Sequence, residues 1–206
     1  FAPALSYHSK FAISKKSSLL SNIDYKILNR VKSNSESPSE NYILNFNNSI
    51  LINEKIKNIN FYNKISSLNS IYSYRFEHND SLNREENSNS LILSSDINFN
   101  FNNYIKPRLK IIHYQELDRS KGIINEDSNS VSFNYNNQYT DNRLFGNDLL
   151  DNSSRVIYGL ENYNKIYGQV FNFKINQSFD LKKSNNYSKE INQSSNFSDY
   201  AIEMAT

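Results

Sequence analysis

Between positions 141 and 155 the chain concentrates groups that can do polar chemistry. Asp141, Arg143, Asp148, Asp151 and Arg155 place both signs of charge around one short connection, with Gly146 at its middle. Such a loop can order itself through charge-assisted hydrogen bonds, with arginine as the fork-shaped donor. Gly146 offers the positive φ that a tight turn takes. The same composition also suits an ordinary charged surface loop. A second charged set is a row of three cations at alternate positions, Lys106, Arg108 and Lys110. On an extended segment these share one face. In a soluble sandwich that face would lie in bulk water; in a membrane barrel it would line the lumen.

Neither set is the chemistry of a catalyst. His8, His78 and His113 are scattered, without metal-ligand spacing. No G-x-S-x-G occurs, and the glycines do not form a phosphate-binding loop. The paired carboxylates Glu85 and Glu86, and Glu126 and Asp127, fall on polar connections and read as solvated. The expectation is a protein that is not an enzyme, with no cofactor and no metal.

The elements that must position these groups are strands. Val131, Phe133 and Tyr135 alternate with serine and asparagine, and Val156, Tyr158 and Leu160 alternate beyond the charged loop. The clearest alternation covers 91–116. There Ile97, Phe99 and Phe101, and then Ile105, Pro107, Leu109 and Ile111, oppose asparagines and the basic row. Pro107 lacks a ladder donor and belongs at a bulge or strand end. Further strands are expected over 1–18, in two or three pieces over 41–65, and over 71–78, 165–181 and 199–206. Leu20, Ile23, Ile27 and Val31 fit a helix or a strand about equally. Residues 33–40, 79–90, 117–129 and 182–198 read as polar connections. Strands separated by connections of very unequal length suit a large antiparallel barrel with short turns at one end and long loops at the other.

Composition agrees. Hydrophobic residues make up 37%, yet there are 15 tyrosines and 13 phenylalanines, more than a disordered polar chain would carry. A β protein with one apolar and one wet face has this make-up. An AT-biased genome accounts for much of the asparagine. Net charge is +2 with no basic block, which argues against nucleic-acid binding. There is no cysteine, hence no disulfide, and no apolar run long enough for a transmembrane helix. That leaves transmembrane β-strands open, since about 9–11 residues each suffice. The chain opens on Phe1 and reads as an internal fragment of a longer protein.

The run FNYNNQYTDNRLFGNDLLDNSSRVIYGLE resembles the signature of the LPS-assembly protein family, LptD, also called organic solvent tolerance protein. That family has an alternating aromatic strand, a loop resembling L-N-R-F-x-G-x-D-R, and a strand with Y-G-L. Asn142, Arg143, Gly146, Asp148, Arg155, Tyr158, Gly159 and Leu160 match. Upstream, YIKPRLKIIHYQ is similar to the family's P-R-x-x-x-x-Y strand, and NEDS to an acidic loop. Downstream, NQSF stands where G-Q-x-Y is usual, and SDYA resembles a strand start. Leu149 stands in place of an arginine, Asn176 in place of a glycine, and the family's cysteines have no counterpart. The resemblance covers about 104–201.

The resemblance implies that 1–206 is a fragment of a single all-β domain, an antiparallel transmembrane β-barrel in the outer membrane. It implies a translocon component that inserts lipopolysaccharide into the outer leaflet. Its partners would be lipopolysaccharide, an LptE-like plug lipoprotein and periplasmic transport-bridge proteins, with no nucleic acid. The loop over 141–155 is then expected to fold into or over the lumen, tied by Arg143 and Arg155 to nearby carboxylates. The competing classes are a general outer-membrane porin and a soluble β-sandwich or adhesin module.

Overall fold

In the computed structural model, described for residues 4–29, 38–76, 83–102, 104–124, 129–130, 134–145, 150–166, 169–183 and 195–205, nearly every element is a strand. They are β1 (Ala4–Ala12), β2 (Ser17–Asn29), β3 (Glu40–Ile56), β4 (Ile59–Arg75), β5 (Arg84–Phe99), β6 (Ile105–Arg119), β9 (Ser154–Ile166), β10 (Gln169–Lys182) and β11 (Ala201–Ala205). These nine form one sheet in the order β1-β2-β3-β4-β5-β6-β9-β10-β11. Between β6 and β9 lie the two-residue strands β7 (Asn129–Ser130) and β8 (Leu144–Phe145), paired with each other, and one helical turn, α1 (Tyr135–Gln138). Among the described residues no pairing joins β1 to β11, so the sheet is open: an all-β, antiparallel arrangement that fits a partial barrel. No helix among the described residues is long and apolar enough to cross a membrane, which does not bear on strands.

Each strand pairs with the next main strand, and the connections alternate. Short ones span 13–16, 57–58, 100–104 and 167–168; long ones span 30–39, 76–83, 120–153 and 183–200. An up-and-down meander therefore gathers its long connections at one end, the pattern of outer-membrane barrels.

Several expectations need correction. Residues 17–29 are strand, not helix: with a partner strand available, register against β1 (Ile23 with Tyr7, Leu19 with Phe11) decides what the ambiguous spacing left open. Residues 41–65 hold β3 and the start of β4, and β4 runs unbroken through the separate strand expected from 71. The polar connection expected over 79–90 is strand from Arg84, and that expected from 117 begins only after Arg119. Residues 84–90 contain no apolar side chain, yet Ser88 and Ser90 are buried. Ladder bonds belong to the backbone, so a strand with neighbours on both sides tolerates a polar sequence. Tyr135, expected on a strand, starts α1; Val131 and Phe133 lie outside the described residues, as does Val31.

The chain divides into two compact units. The first comprises Phe1–Leu51, Ile65–Leu91 and Gln115–Ile124. Its core is Ile43, Tyr72, Tyr74 and Phe76, with Leu28, Ile123 and Ile124 packed on it. Tyr74 accepts the Ile124 backbone N–H through its hydroxyl at 2.9 Å, and the Arg84 guanidinium lies 5.4 Å from its ring centroid. On β3 the buried residues are Asn41, Ile43, Asn45 and Ser49, while the larger apolar side chains Tyr42, Leu44 and Phe46 on the other face are only partly buried. Ser49 and Ser66 meet across the strands at 2.9 Å. The buried face is thus the more polar one, the reverse of a soluble sheet. The second unit, Ile52–Lys64, Ile92–Tyr114 and Asn125–Thr206, carries the charged loop.

One residue other than glycine has positive φ: Lys57, at 51°, in the β3–β4 turn, among the described residues. The left-handed conformation costs an ordinary L-residue about 1–2 kcal/mol, part of which a glycine returns as extra unfolded-state entropy. Lys57→Gly is expected to stabilise the folded protein by roughly 0.5–1 kcal/mol. Urea unfolding in detergent checks this; unchanged or lowered stability would show that the turn is not strained.

Candidate functional site: a charged loop on the polar face of β6, β9 and β10

Register assigns every side chain in this region to a face. β6 pairs with β9 through Lys106 and Glu161, Arg108 and Gly159, Lys110 and Ile157, and Ile112 and Arg155. β9 pairs with β10 through Glu161 and Lys174, Gly159 and Asn176, Ile157 and Ser178, and Arg155 and Asp180. β10 pairs with β11 through Lys174 and Glu203, and Asn176 and Ala201. Paired residues share a face, so these form one continuous, mostly polar surface. The opposite surface carries Ile105, Pro107, Leu109, Ile111, Val156, Tyr158, Leu160, Phe171, Phe173, Ile175, Ile202 and Met204. It is the apolar surface that is open: Met204 is 77% exposed and Ile202 56%.

The loop covers the polar surface. α1 starts with a capping box in which the Asn134 side chain accepts from the Asn136 and Asn137 backbone N–H groups, while the Asn137 side chain accepts from the Asn134 N–H. This single turn buries Tyr135 and Gln138, followed by buried Tyr139. Asn176 Nδ2 donates to the Tyr135 carbonyl at 2.8 Å, and Gln138 Nε2 donates to Ser198 Oγ at 3.3 Å. Asn142 then shapes the return, its Oδ1 accepting from the Leu144 and Asp151 backbone N–H groups.

Below the return lies a buried charge cluster. Arg143 Nε and Arg155 Nη1 both donate to Asp151 Oδ2 at 2.6 Å. Ser153 Oγ accepts from both guanidiniums, at 3.2 and 2.9 Å. Arg143 also reaches Asp180 of β10 at 3.4 Å, and Arg155 Nη2 donates to the Thr140 carbonyl at 2.6 Å. Arg143, Asp151 and Arg155 are each at most 3% exposed. Burial alone would raise the Asp151 carboxyl; the two arginines outweigh it and hold the group below the usual carboxylate range.

A second anchor is Asp141. Its two oxygens accept from Lys110 Nζ of β6 at 2.7 Å and Lys64 Nζ of β4 at 2.9 Å, so one carboxylate joins strands on either side of β5. Burial pushes this carboxyl up, but the lysines win and hold it at about 2. Lys110 also donates to the Tyr139 carbonyl. Arg108 grips Asp96 of β5 through Nε and Nη2 and stacks on Tyr139, 4.0 Å from the ring centroid. Burial pushes the Tyr139 phenol up to about 12 and raises that of Tyr135, whose hydroxyl donates to Glu161 at 2.7 Å.

Of the residues singled out from sequence, Asp141, Asn142, Arg143, Asp151 and Arg155 come together here, and Gly159 lies under Tyr139. Gly146 and Asp148 lie outside the described residues. Leu160 is on the apolar surface, opposite Pro107 and Ile175, and does not touch the loop's charges. Lys106, Arg108 and Lys110 share the polar surface. Asp96 and Asp141 neutralise the last two, and Lys106 lies 4.8 Å from the Tyr163 ring centroid. Pro107 is the third residue of β6. Sequence reading missed Lys64, Asp96, Tyr139, Asn176 and Asp180. The only local signal was a lone acid such as Asp180 on the polar register of a strand.

Two variants test this construction. A Cβ on Gly159 would run into the Tyr139 hydroxyl and sit 2.7 Å from the Ile175 carbonyl. Gly159→Ala is expected to cost about 1–3 kcal/mol by overpacking, and adding Tyr139→Phe should recover part of it; full stability of Gly159→Ala in denaturant unfolding would refute the close approach. The Asp141 carboxyl is at about 2 in the folded protein and near 4 when unfolded. Its contribution, about 2–3 kcal/mol, is therefore complete above pH 4 and lost as pH falls towards 2. Acid unfolding of Asp141→Asn should lack that component, and identical acid profiles would exclude it.

The LptD family model, LPS transport system D, matches residues 77–206, more than half of the chain. No curated protein matches it.

Proposed function

The chain belongs to the LptD family of LPS transport, and from that membership we propose that it forms part of the wall of an outer-membrane translocon that inserts lipopolysaccharide into the outer leaflet. The carrying observation is the family match taken with the inverted sheet, whose polar surface is packed and whose apolar surface is open. A soluble sandwich buries its apolar faces against a second sheet; a membrane barrel turns them to lipid.

In this reading the polar surface of β6, β9, β10 and β11 faces the lumen, and the loop is a strap folded against the inner wall. Asp141 and Asp151 fasten it, using the family-motif residues Asn142, Arg143 and Arg155, with Gly159 leaving room for Tyr139. Gly146 and Asp148 belong to the same motif loop, and Leu160 to the outer surface of its strand. The work is positional: no bond is made or broken. Arg108 and Lys110 serve the strap, since each already has a carboxylate; Lys106 is left to face an anionic group or a partner. The remaining partners are an LptE-like lipoprotein filling the lumen and periplasmic bridge proteins that deliver the lipid. The whole of 1–206 belongs to one barrel domain.

Depleting the full-length protein in its host and assaying lipopolysaccharide at the cell surface tests the proposal. Loss of surface lipopolysaccharide with accumulation inside is expected. Unchanged surface lipopolysaccharide with reduced uptake of small solutes would assign a porin instead.

A further inference from the structure

The open apolar surface is not smooth. Pairing along β10 changes where the chain returns to it. Phe197 lies opposite Phe179, and the Ser198 N–H donates to the Ser178 carbonyl at 2.9 Å. Ala201 lies opposite Asn176. Two residues, Asp199 and Tyr200, therefore face the single Gln177, which is a β-bulge; such extra residues re-aim side chains and recur beside functional sites. The bulge is fixed by Gln177, whose Nε2 donates to the Ser198 carbonyl at 2.9 Å and whose Oε1 accepts from the Tyr158 hydroxyl at 2.5 Å. Both polar groups of an outward-facing glutamine are thereby satisfied, as hydrocarbon surroundings demand.

Beside the bulge is a groove of about 400 Å³, walled by Pro107, Leu109, Tyr158, Leu160, Ile175 and Tyr200. Its floor includes the backbone of Gly159. The one charged residue at its margin, Arg108, spends its guanidinium on Asp96 at the opposite surface. The groove thus offers hydrocarbon contact and nothing for a phosphate or a sugar acid. It is continuous with the open apolar surface of β6, β9, β10 and β11.

We propose that this groove seats one acyl chain of a zwitterionic phospholipid resident in the membrane. The inference rests on the membrane reading given above and goes beyond lipopolysaccharide transport. A transported lipid rich in phosphate would be recognised by cations, and the groove has none to offer; a zwitterionic phospholipid needs only the slot. The bulge keeps the slot open, because it displaces Tyr200 from the regular ladder and lets Tyr158 lie towards Gln177.

The test is photo-crosslinking of the full-length protein in nanodiscs of phosphatidylethanolamine carrying a diazirine in its acyl chain, with adducts mapped by mass spectrometry. A parallel sample carries the diazirine in the acyl chains of lipopolysaccharide. Phosphatidylethanolamine adducts are expected at 107–109, 158–160 and 175–177, enriched roughly tenfold over Ile105 and Met204 on the same surface, the preference that about two extra buried methylenes supply. Ile175→Trp, or Leu109→Trp on a separate strand, should fill the slot and remove the enrichment while the barrel stays folded. Even labelling of the whole apolar surface would overturn the seat and leave the membrane reading intact. Enrichment with the lipopolysaccharide probe alone would overturn the choice of lipid. Absence of acyl labelling anywhere would overturn the membrane reading with it.

Discussion

Everything around the loop depends on one carboxylate lodged between two guanidiniums. Asp151 takes Arg143 from within the loop and Arg155 from the second position of β9 on the same oxygen, with no water-accessible side-chain surface to soften the loss of either. Net stabilisation from such a cluster is modest, because desolvating three charges offsets much of their attraction. Its effect is on alternatives. Any arrangement that leaves one member behind strands a buried charge, at about 3–5 kcal/mol. The loop consequently has one low-energy path over the strands, and the Asn142 turn, the α1 cap and the Asp141 anchor all fall on it.

Charge accounting on the polar surface follows from that constraint. Three carboxylates, Asp96, Asp141 and Asp180, come from different parts of the chain to meet Arg108, Lys110 and Arg143. Further along, Lys174 pairs with Glu203, and Glu161 accepts from Tyr135 and Tyr163. The surface is densely charged yet locally neutral. It can be covered by a folded segment without the repulsion that a purely basic lining would produce.

Alternation made the strands legible, because a period of two survives in Phe, Ile and Tyr against Asn, Lys and Ser whatever the composition. The charged loop was legible for another reason: Arg143, Asp151 and Arg155 sit close together in the sequence. What spacing cannot carry is the identity of partners on other strands. Lys64 and Asp96 lie far from the loop in sequence, and only register brings them to it. The boundary at Arg84 was hidden because serine and asparagine serve equally in a connection and on the packed face of this sheet. The buried side of β3 was hidden too, since Asn41 and Asn45 flank Ile43 where an apolar face would be sought. Leu160 shows the converse: one residue beyond Gly159, it turns to the other surface.

The strict alternation of short and long connections carries a consequence for how such a chain changes through descent. A hairpin closed by Lys57 and Asn58 fixes the register of two long strands, and one added residue there would turn every side chain on one of them to the wrong surface. A connection such as 183–200 can lengthen with little thermodynamic penalty, since loop closure grows only slowly with length. Insertions, deletions and drift in length should therefore accumulate at one rim and be purged from the other. Lineages would come to differ in what they display on that rim while keeping the same wall beneath it.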